Sequence, residues 1–125
     1  MIQLLLEAVF IGFFNIIIYY PLSFINNLVI ELFMVGFMKH LISYLMGIQD
    51  YYCKTYIDNN YQSKPLNIIF ECLLEGLFFI YIGLLLSKLI DNRYLLLFLL
   101  GFFIHIISEF YGIHKLFLIY NCKMI

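Results

Sequence analysis

Four apolar runs, at residues 2–20, 28–48, 66–89 and 94–119, are divided by short polar stretches. Each approaches the ~20 residues that an α-helix needs to cross a hydrocarbon core of ~30 Å. In lipid every backbone N–H must be satisfied within its own segment or in a closed barrel. A membrane strand would alternate lipid-facing and lumen-facing residues, whereas these runs are apolar all round, so helices are expected. Hydrophobic residues make up 65% of the chain and charged residues 12%, against about half and about a quarter in a soluble domain. A soluble fold of 125 residues has too little interior to hide that much apolar surface.

The punctuation fits helix ends. Pro21 closes the first run, because proline cannot continue the backbone ladder. Asn26 and Asn27 cap the second, Pro65 suits the first turn of the third, and Asp91-Asn92-Arg93 makes a turn short enough to force an antiparallel neighbour. Residues 50–64 form the longest polar stretch and are expected to be a loop. The first run has neither a basic n-region nor a small-residue cleavage site, so it is expected to stay as a span.

The second half of the chain repeats the first. At an offset of 65, Leu32-Phe33-x-x-Gly36-Phe37-x-x-His40-x-Ile42-Ser43-x-x-x-Gly47-Ile48 matches Leu97-Phe98-x-x-Gly101-Phe102-x-x-His105-x-Ile107-Ser108-x-x-x-Gly112-Ile113 at nine of seventeen positions. Apolar bias accounts for Leu, Phe and Ile, but not for glycines, histidine and serine in register. The first helices correspond more loosely at an offset of 64, with Glu7 on Glu71 and Gly12 on Gly76. The expected fold is an all-α membrane protein, one transmembrane domain over residues 1–125. It is read as a four-helix bundle built from two tandem hairpin repeats, about 1–53 and about 65–122, related by an axis along the membrane normal.

The repeated letters have helical geometry. Gly36, His40, Ser43 and Gly47 fall on one helix face, and Gly101, His105, Ser108 and Gly112 repeat that stripe. With Gly12, Gly76 and Gly83 on the other helices, these glycines are expected to let the helices pack closely. Cys72 is expected to join the small-residue face.

Ionisable side chains within a span normally face the interior and a partner. His40 and His105 each lie about ten residues, roughly 15 Å, before the expected end of their helix. Glu7, Glu71, Glu75, Lys39, Ser43, Ser108, Tyr44 and Glu109 sit at that level or nearer the surface, all in the half of the bundle near the termini. The first reading is interhelical bonding, with each histidine on a glutamate or a tyrosine hydroxyl and Lys39 on a buried glutamate. The second is a site. His40 and His105 could bind zinc or another borderline metal with carboxylate support, or ligate haem b as a pair. A path for protons or metal ions through Glu75, His40, His105 and Lys39 is the third. No bound cofactor is expected under the first reading.

Cys53 and Cys122 follow the second and fourth helices on one side of the membrane. They can form a disulfide if that side is oxidising. That side also carries Lys54, Lys64, Lys115 and Lys123 against Lys88 and Arg93 opposite, so the positive-inside rule puts the termini in the cytoplasm and free thiols are expected. His114 is expected at the interface. There is no C-x-x-C pair, nucleotide-binding glycine loop, G-x-S-x-G elbow or zincin motif, and no basic patch for nucleic acid.

The segment Gly36-Phe37-x-Lys39-His40-x-x-x-Tyr44-x-x-Gly47-Ile48-x-x-Tyr51-Tyr52-Cys53 resembles small uncharacterised multi-pass membrane proteins of large nucleocytoplasmic DNA viruses. The second copy departs from it with Glu109 in place of Tyr44. The resemblance implies a virion internal membrane or the host endoplasmic reticulum and supplies no chemistry. The sequence thus points to a non-enzymatic structural or assembly component whose partners are the bilayer and, through helix packing, further copies or other membrane proteins. A small ion channel or carrier is the alternative.

Overall fold

The computed structural model describes residues 2–63, 68–112, 116 and 122–124. Four helices are long and apolar enough to cross a membrane: α1 (Ile2–Leu22), α2 (Leu28–Leu45), α4 (Ile68–Ser87) and α5 (Arg93–Phe110). Between α2 and α4 lie a short helix, α3 (Ile48–Tyr56), and a three-residue strand, β1 (Tyr61–Ser63). β1 pairs antiparallel with β2 (Cys122–Met124) near the C-terminus. Lys64, Pro65, Leu66, Ile113, His114, Lys115 and Ile119 lie outside the described residues.

Asn27 starts α2 as expected, and Asn92, expected only within a turn, starts α5. Asn27 Oδ1 accepts from the Ile30 N–H at 3.2 Å, and Asn92 Oδ1 from the Leu95 N–H at 3.1 Å, satisfying donors that a helix N-terminus leaves orphaned. Pro21 falls in the last turn of α1, which continues one residue beyond it to Leu22.

Two boundary expectations are corrected. The second run does not continue to residue 48, because Gly47 adopts φ +78° and ends α2. Gly112 does the same after α5 with φ +73°. A Cβ at either glycine would meet nothing within 4 Å, so Gly47 and Gly112 are terminators and not the packing residues their place in the stripe suggested. Residues 50–64 are likewise no plain loop: α3 and β1 occupy much of the stretch, because Asp50 and Lys54 supply polar positions between apolar ones in a short amphipathic helix of about two and a half turns.

α1 packs chiefly on α5, and α2 chiefly on α4. The core between them consists of Phe14, Ile18, Tyr19, Leu32, Val35, Phe79, Leu97 and Leu100. Backbones come close at glycines. A Cβ on Gly36 would stand 2.8 Å from the Glu75 carbonyl oxygen, and one on Gly12 would stand 2.9 Å from the Phe98 carbonyl oxygen. On Gly76 it would meet the Phe33 ring at 2.6 Å, and on Gly101 the Asn15 amide. Gly83 instead faces the Leu32 side chain. Opposite the core, Leu6, Phe10, Phe13 and Ile17 of α1 and Phe70, Leu74, Leu77 and Tyr81 of α4 are exposed. These outward stripes are what hydrocarbon would solvate.

Cys53 and Cys122 are joined in a disulfide, with Cα atoms 5.7 Å apart, where free thiols were expected. The β1–β2 ribbon holds the two segments in register, since Ser63 sits opposite Cys122. Cys72 is buried and unbridged on α4.

Candidate functional site

The glycine contacts determine which side chains meet one turn further on. α2 and α4 run antiparallel, so moving from Gly36 to His40 on α2 corresponds to moving from Gly76 towards Glu71 on α4. His40 Nε2 lies 2.9 Å from Glu71 Oε2, and Lys39 Nζ forms an ion pair with Glu75 Oε1. The Lys39 ammonium also stands 5.5 Å from the centre of the Phe79 ring, a cation–π contact. Ser43 Oγ donates to the Lys39 carbonyl at 2.7 Å, a bond within its own helix.

The other helix pair follows the same scheme. One turn beyond Gly101, His105 Nε2 of α5 lies 3.2 Å from Glu7 Oε2 of α1. Gln3 Nε2 donates to the other oxygen of Glu7 at 3.3 Å. Glu109 stands one turn after His105, and one ligand atom from each of Glu7, His105 and Glu109 lies within 4.8 Å of the others. Beside Glu7 a groove runs between Gln3, Leu6 and Phe10 of α1 and Ile48 and Tyr51 of α3.

These groups lie shallower than the sequence suggested. With α2 ending at Leu45 and α5 at Phe110, both histidines are only five residues from a helix end, roughly 7.5 Å. Glu7, Glu71 and Glu75 lie within two turns of the starts of α1 and α4. The polar layer therefore sits towards the terminal face of the bundle.

His40 and His105 are each engaged at Nε2 by the carboxylate of a different neighbouring helix. The glycine contacts pair each histidine stripe with a glutamate-bearing helix and not with the other stripe. Among the described residues the group able to hold a metal comprises Glu7, His105 and Glu109, without His40. Tyr44 and Ser108 are half-buried on α2 and α5, and the structure does not bring them into the ion pairs.

Three participants were missed in the sequence. Glu31, only 2% exposed, receives a hydrogen bond from Arg93 Nη1 at 2.5 Å, joining α2 and α5 at the face opposite the termini. The signal was available: an acid four residues into the second helix and the lone arginine opening the last one fall on the same side. Asn15, fully buried on α1, donates through Nδ2 to the Leu97 carbonyl at 3.0 Å. An amide deep within an apolar run was the clue. Gln3, four residues before Glu7, was visible only as a helical neighbour.

No protein family, curated protein or solved structure matches the chain.

Proposed function

We propose that this chain is a multi-pass structural or assembly component of a membrane, in which the intramembrane charges clasp two hairpins together. The observation that carries this reading is the pattern of partners. Glu7–His105, Glu71–His40, Glu75–Lys39 and Glu31–Arg93 each join a helix of the first half to a helix of the second. In hydrocarbon an ionisable group without a partner is costly, so each pair strongly favours association of the halves. Between the terminal-side pairs and the Glu31–Arg93 pair lies the apolar core from Phe14 to Leu100, where among the described residues Asn15 and the Tyr19 hydroxyl are the buried polar groups. That arrangement favours a clasp over a conduit.

The reading includes two hairpin copies about a pseudo-two-fold axis. Its support is the matching of contacts at the repeat offsets: Gly12 on Phe98 as Gly76 on Phe33, Gly101 on Ile11 as Gly36 on Glu75, and Gly47 ending α2 as Gly112 follows α5. We also propose that the terminal face lies in an oxidising compartment, the reverse of the lysine-based expectation. The Cys53–Cys122 disulfide supports this, since such bonds persist outside reducing cytosol.

Proteoliposomes test the main claim. With a pH-sensitive dye inside, the wild-type protein should pass protons no faster than protein-free vesicles, and the His40→Gln/His105→Gln double variant should behave the same. A wild-type flux that the double variant abolishes would overturn the clasp in favour of transport. For the orientation, mass-tagging of Cys53 and Cys122 should require a reductant; tagging in intact cells without one would return the terminal face to a reducing side.

A further inference from the structure

The two clasps of the terminal layer differ in one respect that points to a ligand. On α2, His40 is preceded by Lys39 and followed one turn later by Tyr44; on α5, His105 is preceded by Ile104 and followed by Glu109. The first copy thus carries a cation and a phenol where the second carries an apolar residue and a second carboxylate. We infer that Glu7, His105 and Glu109 form a binding site for a single divalent transition-metal ion of the zinc type, reached from the terminal face.

The donor chemistry fits. One imidazole nitrogen and two carboxylate oxygens are the donors that borderline divalent ions such as Zn²⁺ accept, with bonds of about 2.0–2.2 Å. Two ligands at that distance on a tetrahedral ion stand about 3.3 Å apart. His105 Nε2 and Glu7 Oε2 are 3.2 Å apart, and the Glu109 oxygen falls within 4.8 Å of both. Closing that last gap requires only a change of side-chain torsion, since His105 and Glu109 share a helix face at i and i+4. With the ring neutral the set carries a charge of −2, which a divalent ion cancels at a depth where net charge is costly.

The surroundings fit as well. Gln3 Nε2 holds the second oxygen of Glu7, the kind of outer hydrogen bond that orients a carboxylate ligand. A groove between Gln3, Leu6 and Phe10 on one wall and Ile48 and Tyr51 on the other opens beside Glu7, one of the three donors. In the first copy the Lys39 ammonium, paired with Glu75 beside His40, would repel a cation. The equivalent position there is therefore not a second site.

Full-length protein in nanodiscs, titrated with Zn²⁺ by calorimetry and with Co²⁺ by its visible absorption, tests the inference. The wild type should take up one equivalent, with a cobalt spectrum of nitrogen and oxygen ligation. Glu109→Tyr, which installs what the first copy carries at this place, should weaken binding at least tenfold while the protein still elutes as a folded species. His105→Gln should do the same, and His40→Gln should leave the stoichiometry at one. Absence of saturable uptake, or uptake unchanged in both Glu109→Tyr and His105→Gln, would overturn the site. Neither result bears on the flux experiment, so the two readings fail separately.

Discussion

Replacing Gly36 by alanine should loosen the α2–α4 contact and cost about 2 kcal/mol. The added Cβ would stand 2.8 Å from the Glu75 carbonyl oxygen, 2.8 Å from Phe79 Cγ and 3.0 Å from Gly76 Cα. Comfortable contacts between such atoms begin near 3.5 Å, so a shortfall of about 0.7 Å has to be relieved. Two of the three neighbours are backbone atoms, which no rotamer change can move, so the helices themselves must part. A radial gap of that size forfeits a quarter to a half of the dispersion energy along the seam, and overpacking of this kind costs about 1–3 kcal/mol. Two kcal/mol corresponds to roughly a thirtyfold drop in the folded-to-unfolded ratio. Gly83→Ala is the comparison, because its Cβ meets only the side chain of Leu32, at 2.7 Å, and that side chain can turn. Its cost should be about 1 kcal/mol. Unfolding equilibria in bicelles, read by steric trapping, measure both. A Gly36→Ala protein as stable as wild type, or less affected than Gly83→Ala, would refute the close approach of the two backbones.

Arg93→Met should destabilise more than Glu31→Ala: the first strands a carboxylate that is 2% exposed, at about 3 kcal/mol or more, while the second leaves a guanidinium that is 34% exposed and can reach water. The same unfolding assay ranks the two, and the opposite order would mean that Glu31 is hydrated. Asn15→Ala, which removes a buried hydrogen bond to the Leu97 carbonyl, should cost only about 1 kcal/mol, as intramembrane bonds usually do; a loss several times larger would give Asn15 a role beyond packing. The Cys53–Cys122 bond closes a separation of 69 residues, and chain entropy alone puts the cost of reducing it at about 4 kcal/mol. The measured loss should be smaller, because helices already threaded through a bilayer hold both cysteines on one face even when the bundle is open. A loss of the full amount would show that the opened state is not so confined.

The spans were legible because hydrocarbon imposes one length and one composition on anything that crosses it. The glycine and histidine stripes were legible because they occur twice in register. What the stripes face was harder to read. A face says which side chains look inward but not which neighbour they look at, so His40 and His105 invited a pairing that the glycine contacts divide between Glu71 and Glu7. Gly47 and Gly112 share the helical spacing of packing residues, yet one more step along each helix takes them past its end, where a positive φ is what glycine supplies. Glu31 and Arg93 lie 62 positions apart, and only the bundle's cross-half packing makes them neighbours. α3 was hidden by a polar composition that serves an interfacial helix as well as it serves a loop.

Because α1 rests on α5 and α2 on α4, the order of synthesis matters. When the first two spans have left the ribosome, the residues that complete the cross-half ion pairs of Glu7, Lys39 and His40, namely His105, Glu75 and Glu71, have not yet been made. A nascent chain in that condition must be sheltered at the insertion machinery until the third and fourth spans arrive. Messages truncated near the middle should therefore yield an unstable orphan that quality control removes, whereas the two halves expressed as separate chains should rescue one another.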